Sequence, residues 1–491
     1  MKKELLLIFA SILLTTVSAQ NISKHGQLKV TANGHYLQYA DGTPFFWLGD
    51  TGWEMLDRLS REETNIYLEN RRSKGFNVVQ TVLIGEFIHM DKATNFYGDS
   101  ILKNDDPEKP FITPGNSPGN ADEYDFWDHA DYAVNLAAQK GLYLGLLPSW
   151  GEWVTPRVDK PLFNTTAQAY SYGNFLGNRY RKNTNIIWIL GGDRRPHERS
   201  NGFELWRAMA EGIADGTNGK NSLDGNADYS TTIMTYHSFE TSSKWFHNDA
   251  WLDLHMWGTY HSEVNNTRAF EAALADWNLP NPKPTLNGEP SYEGFDINYA
   301  IDDNGVFTST DVRMAAYWSL FSGCAGFTYG AQHIWQFTDS TRTKFSKMTS
   351  GNWQTSLDLP GSFQVGYAKK LFESRPMLEL VPDQSLIVKG QGSCGSYSAA
   401  IKGKSFVLIY IPTGNTLTIK LGTIEGAKIK AWWFDPRTGK STLIGEYENK
   451  GEQEFKVPGM SKELSWLKFG RGCDWVLVLD DASKGFTEPG N

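Results

Sequence analysis

Three cysteines in 491 residues, Cys324, Cys394 and Cys473, are too few for a disulfide scaffold. Cys394 and Cys473 fall in one C-terminal region and their pairing stays open, whereas Cys324 reads as a buried free thiol. No CxxC and no HExxH occurs, so no familiar zinc spacing is present and no metal or cofactor is expected. No GxGxxG follows the first strand candidate, which disfavours a dinucleotide-binding open sheet. Charge of either sign never accumulates into a long run, and the net charge is −9. Phosphate binding needs a clustered basic surface, so nucleic acid is an unexpected partner. Only the N-terminus carries a long apolar stretch.

That stretch, "MKKELLLIFASILLTTVSAQ", has two lysines, an apolar segment and the small-residue site Val17-Ser18-Ala19. It reads as a secretory signal peptide over 1–19 without a lipid-anchoring cysteine, implying an exported, unanchored chain. Aromatics are plentiful at 13%, with 18 tryptophans, and such residues build cores or stack on flat ligand faces such as sugars.

Short apolar runs alternate with amphipathic stretches from residue 45 to about 330. "PFFWLGD", "FNVVQTVLI", "LYLGLLPSW", "NIIWILGGD", "TIMTYH", "WLDLHMWG", "KPTLNGEP" and "GFTYGA" are eight strand candidates. Near-continuous apolar strands separated by helices predict a (β/α)8 barrel, with a doubly wound sheet as the alternative. "QLKVTANGHYLQYADGTP" adds a hairpin with Asn-Gly and Asp-Gly turns. Beyond about residue 380, strands such as "SFVLIYIP" and "WVLVLDD" at regular spacing predict an all-β sandwich. The expected divisions are 20–378 for barrel and hairpin and 379–491 for the sandwich, in a monomer.

In such a barrel the site lies at the C-terminal strand ends. Asp193 ends the fourth run and Glu289 the seventh, each after a glycine that admits a close neighbour. Two facing carboxylates are what glycoside hydrolysis requires. Asp50 and Gln80 end earlier runs and read as ligands for sugar hydroxyls, with His237 and His255 beside them. Trp53, Trp150 and Trp335 read as stacking surfaces, His255 as a partner of Glu289, and Arg195 (with Arg194 and Arg199) as a holder of uronate carboxylates. A cation beside Asp193 would spoil it as an acid, so these arginines are expected to point away from it. Ser149 has no evident base, which leaves a nucleophilic triad with little support.

"FFWLGDTGWEM", "IIWILGGD", "NGEPSYEG" and "YGAQHIWQF", in that order, resemble the apiosidase-like catalytic domain of glycoside hydrolase family 140. The C-terminal part, with "AWWFDPRTGK", resembles the module that accompanies it and is often labelled collagen-binding. The resemblance covers about residues 26 to 481. It implies a barrel acting on pectic glycans, releasing chains joined through apiose in rhamnogalacturonan II. It also implies Asp193 as acid/base and Glu289 as nucleophile. Related retaining barrels carry a glutamate after asparagine where this chain has Asp193, and the shorter side chain is expected to widen the carboxylate gap. Retention and inversion therefore both stay open, as does a binding protein without turnover.

Overall fold

A computed structural model describes residues 22–85, 95–156, 161–262, 266–300, 305–342, 351–459 and 471–491. The expected signal peptide lies outside the described residues.

Strands β1 (Leu28–Val30), β2 (Leu37–Tyr39) and β3 (Pro44–Phe45) form a small antiparallel sheet. Its turns carry Gly34 and Gly42 at φ +77° and +90°, where a side chain would be strained. The sheet covers the lower end of the barrel: His35 stacks on Trp277, and Phe45 meets Tyr143 edge-on.

Eight parallel strands follow: β4 (Trp47–Thr51), β5 (Val78–Ile84), β6 (Tyr143–Ser149), β7 (Ile186–Gly191), β8 (Met234–His237), β9 (His255–Gly258), β10 (Thr285–Glu289) and β11 (Gly326–Tyr329). Their order, β8-β7-β6-β5-β4-β11-β10-β9, is that of a barrel, and the bond from Asp253 N–H to the Met234 carbonyl draws its two edges together. Most strand residues are buried because the interior and the helices take both faces, so the runs are almost wholly apolar. Local signals start the helices. Ser60, Asp125, Thr165 and Thr308 each cap a helix, with Glu63, Asp128, Gln168 and Asp311 answering three residues later.

The C-terminal part is a sandwich. Its larger sheet orders β12 (Val381–Pro382), β14 (Ala399–Lys402), β15 (Phe406–Ile411), β20 (Trp475–Asp481), β17 (Lys428–Asp435) and β18 (Lys440–Glu448). The smaller sheet joins β13 (Ile387–Lys389), β16 (Leu417–Lys420) and β19 (Glu452–Phe455). β15 reads "FVLIYI" because it is buried twice. Val407, Ile409 and Ile411 face the smaller sheet, while Phe406, Leu408 and Tyr410 belong to the barrel's own core.

The barrel helix Ser309–Phe321 lies between the two parts. Arg313 makes a two-point pair with Asp474 at 2.9 and 2.8 Å, and Arg375 another with Asp480 at 2.8 and 2.7 Å. Arg471 returns from the sandwich to Asp311, Tyr317 stacks on Tyr410, and Trp318 donates to the Tyr397 carbonyl. Cys394 and Cys473 do not pair: Cys394 is exposed and Cys473 buried, both as free thiols.

Candidate active site

β7 delivers Asp193 through an unusual backbone. Gly191, Gly192 and Asp193 all have positive φ, at +88°, +130° and +52°. A side chain on Gly191 would strike the His237 carbonyl, and one on Gly192 the Trp150 ring. These glycines therefore make room for protein rather than for a ligand, and for a conformation that an aspartate adopts at some cost. The segment is held by Gly192 N–H to the His237 carbonyl and by the Tyr236 hydroxyl to the Arg194 carbonyl.

β10 delivers Glu289 through a register shift. Asn287 pairs with Trp257 but Glu289 with Gly258, so Gly288 is the extra residue of a bulge. Gln80, fully buried on β5, donates to the freed Gly288 carbonyl at 2.9 Å.

His237 stands between the two acids. Its Nδ1 accepts the Asp193 N–H at 3.4 Å, which leaves the ring proton on Nε2, 2.8 Å from Glu289 Oε2. His261 repeats the device: its Nδ1 accepts the Tyr292 N–H at 3.4 Å, and its Nε2 lies 3.6 Å from Glu289 Oε1. Burial raises the Glu289 carboxyl, but the His237 and His261 rings beside it outweigh that and hold the group at about 2. Burial pushes the phenols of Tyr260 and Tyr292 well up, and the Glu289 charge adds to both.

An oxygen of Asp193 and one of Glu289 lie within 4.8 Å of each other. The left-handed turn carries the Asp193 backbone against the His237 ring. Asp193, His237 and Glu289 together form a set of metal-ligating types. As arranged, they fit a carboxylate pair separated by an imidazole.

Trp53 and Trp150 meet edge-on at 5.3 Å, and Trp53 also meets His237. Trp53 Nε1 donates to the Tyr292 hydroxyl, and half-buried Trp335 lies 6.5 Å from Tyr292. These three tryptophans thus wall one side of the site.

Four expected residues stand elsewhere or act otherwise. Asp50 faces the outer helix layer, because alternation on β4 turns it outward; Arg71 and Tyr67 hold it at 2.6 and 2.5 Å. Gln80 lies beneath Glu289 rather than at the mouth. His255 begins β9 instead of ending it, at the opposite end from Glu289; it meets His247 at 3.1 Å, and burial lowers it to about 3. Arg195 is committed to Glu198 at 3.0 Å and Glu240 at 3.1 Å. Arg194 pairs with Glu152, and Arg199 with two loop carbonyls. Arg194 also donates to the Asp193 backbone carbonyl at 2.8 Å, so the basic run is spent on the protein's own loops and backbone. His261, Tyr260 and Tyr292 complete the site without having ended any apolar run. A GxSxG string, Gly115 to Gly119, sits in exposed loop without the strand and helix of a nucleophile elbow.

Residues 31–379 match a family described as "Apiosidase-like, catalytic domain", and residues 381–480 one described as "Putative collagen-binding domain of a collagenase". Comparison with curated proteins finds no match. A solved structure named "Glycoside hydrolase" is 32% identical, covering 94% of this chain and 98% of its own, with a TM-score of 0.81. A glycoside hydrolase family 5 protein from Bacteroides vulgatus ATCC 8482 is 32% identical, covering 96% of each chain, also with a TM-score of 0.81.

Proposed function

Because the chain belongs to the apiosidase-like family of glycoside hydrolases, we propose that it cleaves a pectic polysaccharide of the rhamnogalacturonan II type, at apiose, with retention of configuration. The observation that supports the mechanism is that an oxygen of Asp193 and one of Glu289 lie within 4.8 Å. Retaining pairs stand about 5–5.5 Å apart, and inverting pairs roughly 6.5–9.5 Å, which leaves room for a water between them.

Glu289 attacks the anomeric carbon as a carboxylate already charged, with His237 Nε2 at 2.8 Å from one oxygen and His261 Nε2 at 3.6 Å from the other. With Glu289 anionic, the proton of the pair falls to Asp193, which gives it to the leaving glycosidic oxygen. The glycosyl–Glu289 ester then meets water, whose proton returns to Asp193 as the C–O bond to Glu289 breaks. Gln80 fixes the bulge that aims Glu289. Trp53, Trp150 and Trp335 shape the sugar-facing wall. Export fits the leader-like N-terminus.

Asp193→Asn and Glu289→Gln should each lower release of reducing ends from rhamnogalacturonan II oligosaccharides by on the order of 10²–10⁴-fold while leaving glycan affinity intact. NMR of the first-formed product should show the substrate's anomeric configuration. An inverted product would remove Glu289 as nucleophile. An unmutated chain that binds pectic glycans and cleaves none would be a binding protein.

A further inference from the structure

The string "NGEPSYEG" holds two glutamates, and the mechanism uses only the first. Glu293 is 4% exposed, and its carboxylate is spent on the protein. Tyr329, at the end of β11, donates to Oε2 at 2.7 Å. Gly361 N–H, in the first turn of the helix Pro360–Glu373, donates to Oε2 at 2.9 Å and to Oε1 at 3.2 Å. A carboxylate suits a helix N-terminus. The fit is close, since a side chain on Gly361 would strike Oε2. The backbone is held as well: Glu293 N–H donates to the Gly330 carbonyl at 2.9 Å, and Gln332 N–H to the Glu293 carbonyl at 2.9 Å. Burial raises the Glu293 carboxyl, against the pull of the Tyr329 hydroxyl, the Gly361 N–H and the charges of Arg313 and Arg71.

The residue before Glu293 is the one that reaches the site. The Tyr292 ring lies on Gly330, where a Cβ would come within 2.0 Å of it, and its hydroxyl accepts the Trp53 indole N–H at 3.1 Å. Tyr292 N–H meets His261 Nδ1 at 3.4 Å, and His261 Nε2 faces Glu289. With a donor on Nδ1, the proton of the neutral ring belongs on Nε2. That N–H contact is already long, so a small displacement would free Nδ1 to take the proton and turn the neighbour of Glu289 from donor to acceptor.

We propose that Glu293 is a positioning residue for Glu289. By tying the loop after β10 to β11 and to the helix Pro360–Glu373, it keeps the Tyr292 N–H on His261 and the His261 proton toward Glu289. This inference rests on the glycosidase reading above, in which Glu289 attacks as the carboxylate.

The test uses the full chain and two readouts. One is NMR of isotopically labelled histidine rings at about pH 8, where an ordinary imidazole is neutral; the other is the pH profile of kcat/KM on rhamnogalacturonan II oligosaccharides. The unmutated His261 ring, assigned by its loss in His261→Gln, should carry its proton on Nε2 alone. Glu293→Ala should place a share of it on Nδ1 and move the acid limb up by about one pH unit, the worth of one hydrogen bond to a charged group. Adding His261→Gln should move that limb no further. Glu293→Gln offers one oxygen to Tyr329 and Gly361 without the charge, and should keep the wild-type profile. Gly330→Ala displaces Tyr292 while leaving the Glu293 carboxylate its partners, so it should repeat the change even if Glu293→Ala does not fold. An unmoved acid limb and an unmixed His261 ring overturn the role and leave Glu293 a helix cap, while the glycosidase reading stands. An equal shift in Glu293→Gln also overturns it, assigning the effect to charge. A wild-type chain inactive on every glycan overturns both readings.

Discussion

Two imidazoles owe their proton positions to backbone N–H groups. Asp193 N–H occupies Nδ1 of His237, and Tyr292 N–H occupies Nδ1 of His261, so both Nε2 protons face Glu289. The pair holds the Glu289 carboxyl at about 2 against an ordinary 4.5. A depressed carboxylate is charged above its folded value, so the stability it lends is complete above about 4.5 and drains away as pH falls toward 2. His261→Gln should move the acid limb of kcat/KM to higher pH, with the basic limb unmoved. A pH-rate profile checks this, and an unshifted acid limb would show that His261 does not govern Glu289. The two acids were legible in the sequence because each ends an apolar run after a glycine. His261 was not, since it lies in a loop past β9, and His255 misled because it begins the strand rather than ending it.

At the level of elements, strands and helices were readable from apolar runs and the amphipathic stretches between them, whereas the bulge at Gly288 was not. A one-residue shift of register depends on the partner strand, here β9, and leaves no mark on the hydrophobic pattern. The same holds for Asp50, whose outward direction is set by the pleat and whose partner Arg71 arrives from a helix 21 positions on. Contacts between elements are equally silent. Arg313 and Asp474 are 161 residues apart and both almost fully buried. Arg313→Ala should cost about 3–5 kcal/mol by leaving the carboxylate buried and unpaired. The double change Arg313→Met with Asp474→Leu should recover most of that in urea unfolding. A double variant as unstable as the single one would mean that the loss is one of packing, not of an orphaned charge.

For the molecule as a whole, the sandwich is continuous with the barrel core rather than tethered to it. Leu408, Tyr410, Trp432 and Phe434 complete the barrel's own cluster, and three buried arginine–aspartate pairs cross the boundary. Differential scanning calorimetry should therefore give one transition for the full chain. A chain ending near residue 380 would strand Arg313 and Arg375 and bare the helix Ser309–Phe321; it should be insoluble or bind hydrophobic dye. Two resolved transitions, or a soluble, sharply melting barrel alone, would make the sandwich dispensable to the fold.

His237 touches both acids without being either. Its ring meets the Asp193 backbone with one nitrogen and the Glu289 carboxylate with the other. The width of an imidazole thus acts as a ruler laid between the two carboxylates. On the proposed retaining mechanism, the stereochemistry of the product would be written partly in a side chain that exchanges no bond with the sugar, and a substitution there would recalibrate the geometry before it altered the reacting groups.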